Sequence, residues 1–269
     1  MSHRTNPSAM KNFQGRVAVI TGAGSGIGRA LALNLAQKGC KLALSDIRAE
    51  SVAETAKLCA AYTSEVMHDA LDVADKKAMQ AYPEKVIAKF GAVHIVINNA
   101  GVAVAATVEE TSIEDYEWLM GINWWGVLYG TKFFLPYLQK ADEAHIVNIS
   151  SVFGIIGVPT QSAYNAAKFA VRGFTESLRQ ELAVTHIGVS CVHPGGIKTN
   201  IAAYARYKTG PNGDHDHAGA AEKFAKLART TPKEAATTIV KGIEKKTPRV
   251  LIGADAVAID VMARTMPES

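Results

Sequence analysis

The sequence predicts an α/β fold, a doubly wound parallel sheet of about seven strands with helices on both faces. Short aliphatic and β-branched runs alternate with longer segments of helical periodicity. The short runs are apolar at successive positions, which is typical of parallel strands buried on both faces. Neither a repeat nor a low-complexity linker divides the sequence, so we expect a single domain.

The predicted elements follow one another in simple alternation. The expected strands are RVAVI (16–20), CKLALSD (40–46), a run within EVMHDALDV (65–73), VHIVI (93–97), AHIVNIS (144–150), GVSCVHP (188–194) and PRVLIG (248–253). The expected helices cover about 26–38, about 49–61, a stretch before residue 92, about 112–138, about 161–184 and a short amphipathic segment from residue 254. Strands separated by helices form βαβ units, which make neighbouring strands parallel.

Composition indicates a soluble globular protein. The 269 residues are 48% hydrophobic and 20% charged, with a formal net charge of +4 and only short basic runs. Nucleic acid is therefore not an expected partner. The three cysteines lack CxxC spacing, which fits thiols in a reducing cytoplasm. Because no apolar run reaches 18 residues, no membrane-spanning segment is expected. The start of the chain lacks the apolar core of a signal peptide, so residues 1–12 are expected to be a disordered leader before a domain over 13–269.

A glycine-rich loop follows the first predicted strand. Residues 21–28 read TGAGSGIG and lead directly into a helical pattern. Missing side chains let such a turn tighten and let the backbone approach a pyrophosphate at the helix N-terminus. The pattern is TGxxxGxG, because Ile27 occupies the third glycine position of a literal GxGxxG. We therefore expect a Rossmann-type dinucleotide site. Its expected loop contacts are Gly22, Gly24, Ser25, Gly26, Ile27 and Gly28.

Acidic residues after the second and third strands bear on the choice of cofactor. Asp46 lies 18 residues after Gly28, where a carboxylate accepts hydrogen bonds from ribose hydroxyls and repels a 2′-phosphate. This favours NAD, although Arg48 would pair with such a phosphate, so NADP stays open. A helix-capping role for Asp46 is the alternative. Asp72 and Val73 are expected at the adenine edge, and a turn or cap role for Asp72 is equally open.

Six motifs occur in one order along the chain. They are TGxxxGxG (21–28), NNAG (98–101), Asn123 within GINWWG, NISS (148–151), YNAAK (164–168) and HPGGIKT (193–199). Together they resemble the short-chain dehydrogenase/reductase family, strongly over about residues 13–200 and weakly beyond. The resemblance implies a catalytic set of Ser151, Tyr164, Lys168 and Asn123. It implies cofactor contacts from Asn99, Ala100, Gly101, Tyr164, Lys168, Pro194, Gly195, Ile197 and Thr199.

The chemistry of this set is consistent with the resemblance. Tyr164 and Lys168 are four residues apart, so a helix places them on one face. A neighbouring ammonium lowers the pKa of a phenol, so we expect Tyr164 to transfer a proton. Ser151, 13 residues before Tyr164, would hydrogen-bond the substrate oxygen. Ser150 is the alternative for that role, or a brace for the strand end. Asn123 would hold a water or cap a helix irregularity.

Residues 200–230 are the least regular part of the chain, and the resembled family carries its substrate lid there. We expect a lid over about 200–230. Its DHDH sequence (214–217) lacks a second cluster at ligand spacing, so a solvated loop is favoured over a metal site. The resemblance also implies a homotetramer, or else a dimer.

The expected function is NAD(P)-dependent hydride transfer between nicotinamide and a secondary alcohol or ketone, with a lipophilic substrate. Two alternatives remain. One is an NADPH-dependent 3-oxoacyl reductase acting on carrier-protein or CoA thioesters. The other is a non-catalytic dinucleotide-binding sensor or scaffold.

Overall fold

A parallel sheet forms the centre of the computed structural model, which describes residue 10 and residues 12–266. Its strands are β1 (Val17–Thr21), β2 (Lys41–Asp46), β3 (Val66–Ala70), β4 (Ile95–Asn98), β6 (Ala144–Ile149), β7 (Ile187–Pro194) and β9 (Arg249–Ile252). Within the described residues they pair in the order β3-β2-β1-β4-β6-β7-β9, and every pair is parallel. The strand order reverses between β1 and β4, which opens a crevice at their carboxyl ends. The predicted fold class is confirmed.

Helices cover both faces of this sheet. They are α1 (Gly26–Gln37), α2 (Ala49–Cys59), α3 (Lys76–Phe90), α4 (Ile113–Met120), α5 (Gly126–Leu138), α6 (Ser162–Glu181), α7 (His217–Leu227), α8 (Pro232–Glu244) and α9 (Ala254–Thr265). One core lies between the sheet and the α1, α2 and α8 layer, with Leu31 and Ile239 fully buried. The other lies under α3, α5 and α6, around Phe134 and Leu138. Both faces of each central strand are buried, which explains their continuous apolar sequences.

A π-helical turn at Gly121–Trp125 interrupts the single helix expected over 112–138. The buried side chain of Asn123 points out of this turn and bonds both backbone polar groups of Val102 at 2.8 Å. At the end of the turn, Gly126 packs so closely on Val73 that a Cβ would lie 2.7 Å from its methyl carbon. Tertiary contacts therefore override a helical periodicity that runs through the segment unbroken.

A second sheet of two short strands, β5 (Val104–Ala105) and β8 (Arg206–Tyr207), was not expected from the sequence. Each strand has two residues, which is too few to show a sequence period. Helix α7 is a further difference, because it lies inside the segment expected to be irregular. This segment, residues 200–230, therefore has a defined structure.

A buried polar chain ties β4 and β6 to the helices below them. Asn98 Nδ2 donates to Asn148 Oδ1 at 2.8 Å and to Thr131 Oγ1 at 3.1 Å. Asn148 Nδ2 then donates to Thr175 Oγ1 at 3.0 Å. Buried amides need such partners, so the chain fixes α5 and α6 relative to the strands that end at the site.

Two of the first residues that the structure describes contribute to the core. Met10 and Phe13 are buried in the α1 and α8 layer. The remainder of the predicted leader lies outside the described residues, except for Asn12. Across residue 10 and residues 12–266, no helix has the length and apolar content needed to cross a bilayer.

Candidate functional site

The glycine loop connects β1 to α1 at the crevice between β1 and β4. Gly22 has a φ of +64°, and a Cβ there would lie 2.8 Å from Ala100 Cα, so the position requires glycine. Thr21 Oγ1 accepts the backbone N–H groups of Asn99 at 3.1 Å and Ala100 at 3.2 Å. Asn99 Nδ2 donates back to the carbonyls of Thr21 at 2.9 Å and Gly22 at 3.1 Å. The predicted loop contacts and the 99–101 stretch therefore lie together.

Asp46 lies at the end of β2 and is buried against the loop. Its Oδ2 accepts the Gly24 N–H at 2.9 Å, and its Oδ1 accepts the Arg48 N–H at 3.1 Å. A Cβ on Gly24 would lie 2.8 Å from the same carboxylate, which accounts for the glycine. Arg48 is the N-cap of α2 and has no side-chain capping bond. The carboxylate is therefore directed at the glycine loop, and the helix-capping alternative for Asp46 is not observed.

Arg29, directly after Gly28, also braces the loop and was not singled out from the sequence. Its Nη2 donates to the Gly24 carbonyl at 2.7 Å and its Nε to the same oxygen at 3.1 Å. Nε also donates to Thr55 Oγ1 at 3.0 Å. The position of Arg29, one residue after the last glycine of the loop, is the feature of the sequence that could have indicated this role.

Asp72 and Val73 follow β3. Asp72 Oδ1 accepts the Ala74 N–H at 2.9 Å, so the turn role left open for Asp72 is observed. Val73 is buried against Gly126. Asp75 is the N-cap of α3, accepting from the N–H groups of Lys77 and Ala78.

Tyr164 and Lys168 lie in the first turns of α6, which passes the carboxyl end of β6. Lys168 Nζ is buried, 5.5 Å from the centre of the Tyr164 ring, and donates to the Ile149 carbonyl at 2.9 Å. Ser150 Oγ donates to the Lys168 carbonyl at 2.8 Å, so Ser150 braces the strand end against α6. Ser151 Oγ accepts the Phe153 N–H at 3.1 Å, and Ser151 is close enough to Tyr164 to act on the pKa of its phenol. Of the two serines, Ser151 is the one beside the tyrosine.

The pKa values in this cluster differ from the sequence-based expectation. Burial raises the pKa of Tyr164 to about 12, while the hydrogen bond with Ser151 acts in the opposite direction. Burial lowers the pKa of Lys168 to about 8. The low dielectric penalises both charged forms, and the Lys168 ammonium is directed at a carbonyl. Among the protein's own groups, the expected lowering of the tyrosine pKa by Lys168 is therefore not found.

Asn123 and Gly101 lie behind Lys168. A Cβ on Gly101 would lie 3.3 Å from Asn123 Oδ1 and 3.6 Å from Lys168 Nζ, so the three residues meet at one point. Both ends of the Asn123 amide bond Val102, which is the helix-irregularity role left open for this residue.

The 193–199 stretch leaves β7 on the opposite side of the crevice. Gly195 and Gly196 turn around Asp255, whose Oδ2 accepts the Gly196 N–H at 2.7 Å. Thr199 faces the glycine loop, 3.2 Å from the position of a Cβ on Gly26. The flanking positions predicted from the sequence, Pro194 and Ile197, are both buried.

His193 and Asp255 support the site and were not predicted. Buried His193 Nδ1 lies 3.0 Å from the Ser151 carbonyl, and burial lowers the pKa of the imidazole to about 4, so the neutral ring donates there. Asp255 is far from Gly196 in sequence, and no spacing motif indicates it. His193 is the first residue of the HPGGIKT motif, and this position is the feature of the sequence that could have indicated its role.

The 200–230 segment is anchored by its polar side chains. Arg206 Nη1 bonds Asp115 Oδ1 at 2.8 Å, and its guanidinium lies 3.6 Å over the Trp118 ring. The DHDH sequence (214–217) contacts Tyr207 of the same 200–230 segment. In it, Asp214 accepts from Tyr207 Oη at 2.5 Å, and His217 stacks on the Tyr207 ring at 5.0 Å. Among the described residues, no group of three or more His, Cys, Asp or Glu is arranged to bind a metal ion.

Comparison with known proteins accounts for this arrangement. The short chain dehydrogenase family model matches residues 16–209. The chain belongs to the short-chain dehydrogenase/reductase family. SadH of Mycobacterium tuberculosis, an oxidoreductase by name, is 52% identical to this short-chain dehydrogenase over 97% of the chain and 94% of the relative. A 3-oxoacyl-[acyl-carrier-protein] reductase, FabG of Thermotoga maritima, is 37% identical over 70% of the chain and 76% of the relative.

Among solved structures, a short-chain dehydrogenase/reductase from Burkholderia phymatum in complex with NAD has a TM-score of 0.86 and 32% identity. It covers 96% of this short-chain dehydrogenase and 96% of its own chain. The family and fold identify the protein as an oxidoreductase that acts on CH–OH or keto substrates.

Proposed function

We propose that this short-chain dehydrogenase uses NAD to interconvert a lipophilic secondary alcohol and its ketone. The observation that carries the proposal is the grouping of Ser151, Tyr164 and Lys168 at the sheet edge that also holds the glycine loop and Asp46. Proton-transfer groups and a nucleotide cradle at one crevice are what such a reaction requires.

The residues fit a dinucleotide. Close packing leaves Gly22 and Gly24 without room for side chains, so bare backbone lines the start of α1. That helix N-terminus would hold the pyrophosphate. Asp46 would accept from the adenosine ribose, and Lys168 has three donors for the other ribose. A bound nicotinamide supplies the hydride acceptor for oxidation and the hydride donor for reduction.

The protein's own groups would manage the proton and the oxygen. In ketone reduction, the neutral Tyr164 phenol would donate its proton to the substrate oxygen, which Ser151 Oγ would hold by a hydrogen bond. A pKa of about 12 keeps the phenol protonated near neutral pH, which suits it as an acid. In alcohol oxidation the phenol must first lose that proton, and Lys168 would stabilise the resulting charge.

Apolar side chains around Tyr164 support a lipophilic substrate. The Phe153 ring meets the Tyr164 ring edge to face at 6.1 Å. Val102, Val104 and Ala163 belong to the apolar cluster on which Tyr164 packs. The 200–230 segment, joined to this wall through β5 and β8, would close over the substrate.

Cofactor choice can be tested through Asp46. The Asp46 carboxylate would repel the 2′-phosphate of NADP. Wild type should therefore bind NAD about tenfold more tightly than NADP, a difference in binding free energy of ~1.4 kcal/mol. Asp46→Ala should weaken NAD binding and narrow or reverse that ratio. Dissociation constants of both nucleotides at one ionic strength measure this. Glu50→Ala, which removes an exposed carboxylate from the first turn of α2, is the control. Tighter binding of NADP by wild type would contradict the assignment of NAD.

A 3-oxoacyl reductase is the second candidate, supported by the 37% identity to FabG. Assays of lipophilic alcohols with NAD and of a 3-oxoacyl thioester with NADPH separate the two functions. Turnover of the thioester alone would replace the first proposal. A pure dinucleotide sensor has no use for the Tyr164 hydroxyl, and the absence of turnover in both assays would favour it.

We further propose a homotetramer in the cytoplasm. Aromatic residues along the π turn, α5 and α6 support the assembly, with Trp125 45% and Phe169 42% exposed. Trp125, Tyr129 and Phe133 stack in sequence, with centroids 5.8 and 5.7 Å apart. Such a stripe is unfavourable in water, and a second copy would cover it. The unpaired, buried cysteines support a reducing compartment.

A further inference from the structure

Tyr204, in the 200–230 segment, lies against the turn that follows β2. The Arg48 guanidinium carbon is 5.2 Å from the centre of the Tyr204 ring, a cation–π contact. Arg48 Nη2 also donates to Ser25 Oγ at 3.3 Å, and its Nε lies 3.7 Å from Asp46 Oδ1. One guanidinium therefore joins the glycine loop, the end of β2 and the 200–230 segment.

Core packing does not explain where the Tyr204 ring lies. The residue is 63% exposed, and its N–H donates to the Asn200 carbonyl at 3.0 Å, which fixes the local turn. An aromatic side chain gains little by lying mostly in water. Its contact with the cation is therefore the interaction that orients it.

The segment around Tyr204 is held at both ends. Before it, Thr199 lies against Gly26 of the glycine loop. After it, Arg206 and Lys208 both pair with Asp115 of α4, at 2.8 and 3.2 Å. The intervening residues thus cross the mouth of the crevice, and the contact with Arg48 is the link between this crossing and the β2 turn.

We propose that Tyr204 is a positioning residue for the nucleotide, and that its contact with Arg48 fastens the 200–230 segment over the adenosine end of the site. This rests on the proposed function, because the site is that of the proposed cofactor. While the ring and Asp46 both hold the guanidinium, it is less available to a 2′-phosphate. Tyr204 therefore also favours NAD over NADP.

A double-mutant cycle tests the contact. Tyr204→Ala should weaken NAD binding about two- to fivefold, the range for an exposed cation–π pair, and should reduce NADP binding less. Tyr204→Phe keeps the ring and should match wild type. In an Arg48→Met background, Tyr204→Ala should have no further effect on the dissociation constant of NAD. Two results would overturn the proposal. One is an equal dissociation constant of NAD for Tyr204→Ala and Tyr204→Phe, and the other is a double variant whose dissociation constant shows the full effect of both single substitutions.

A second measurement needs no nucleotide. Amide hydrogen exchange of residues 200–205 should quicken about two- to fivefold in Tyr204→Ala and in Arg48→Met, but not in Tyr204→Phe. If exchange responds in this way but wild type binds neither NAD nor NADP, the proposed use of NAD is wrong. The role of Tyr204 in nucleotide binding is then wrong as well. If nucleotides bind but exchange is unchanged in all variants, the role of Tyr204 alone is wrong.

Discussion

At the scale of single residues, burial gives the site its chemistry. Tyr164 and Lys168 share a pocket in which charge is penalised, so the phenol stays protonated and the amine loses its proton more readily than in water. Such opposed shifts, in a cleft beside a candidate cofactor site, are typical of acid–base pairs.

Tyr164→Phe removes one oxygen and leaves the ring. Turnover of the alcohol substrate should fall about 10²–10⁴-fold, the usual contribution of general acid–base catalysis. Nucleotide binding should change little, because the ring and Lys168 remain. Steady-state rates and a fluorescence titration of NADH check both. Tyr116→Phe, which removes a hydroxyl bonded to Ser162 at 2.6 Å, is the control. Turnover near the wild-type level in Tyr164→Phe would reject this tyrosine as the proton donor.

The sequence predicted residues of this kind where short spacing determines geometry. Tyr164 and Lys168 were found because a helix aligns positions four apart, and the loop because glycines cluster before a helix. Ser151 was preferred to Ser150 on its spacing from Tyr164 in the resembled motif, and the structure shows the physical difference, because Ser150 Oγ bonds the Lys168 carbonyl. Asp255 reaches Gly196 only through the fold, so local sequence carries no sign of it.

At the scale of elements, the parallel strands were predictable and the interruptions were not. Strands buried on both faces have apolar runs that stand out against amphipathic helices. The π turn leaves no mark on that pattern, because the partner of its Asn123 side chain is Val102, which is distant along the chain. The chain from Asn98 to Thr175 is similar, since its members meet only after the sheet forms.

Asn123→Ala tests what holds the π turn. The substitution leaves the N–H and C=O of Val102, both partly buried, without their partner, and together this costs about 1–3 kcal/mol, less than for two fully buried groups. The free energy of unfolding should therefore fall by about 1–3 kcal/mol, measured by urea denaturation. Lys132→Ala, an exposed change on α5, should alter it by less than about 0.5 kcal/mol. Equal stability of the two variants would mean that Asn123 does not hold the turn.

At the scale of the whole molecule, buried histidines link stability to pH. Burial lowers the pKa of His145 to about 3, and its Nε2 lies 2.8 Å from Ser190 Oγ between β6 and β7. In the unfolded chain a histidine titrates near ~6.5. Between these values the unfolded state binds more protons, so the free energy of unfolding falls as pH falls from about 6.5.

His145→Gln should reduce this acid sensitivity. Between pH 7 and pH 5, wild type should lose about 2 kcal/mol more of its free energy of unfolding than the variant, at ~1.4 kcal/mol per pH unit below 6.5. Urea unfolding at both pH values gives the difference. Asp142, whose pKa is lowered to about 2 by Arg16, stays ionised across this window and is present in both proteins. Equal pH dependence in the two proteins would show that His145 is not buried as a neutral ring.

Assembly is also a property of the whole molecule, and the aromatic surface on the π turn, α5 and α6 is where substitutions can test it. A stable interface needs roughly 800 Å² from each partner, and large exposed aromatic residues supply such area efficiently. Wild type should scatter light as a tetramer at micromolar concentration. The double variant Trp125→Glu with Phe169→Glu should form smaller species, because each buried carboxylate would lack a partner. Val184→Glu, at a site that is 91% exposed beyond α6, should keep the wild-type mass. A monomeric wild type, or a stripe variant of unchanged mass, would show that this surface does not join subunits.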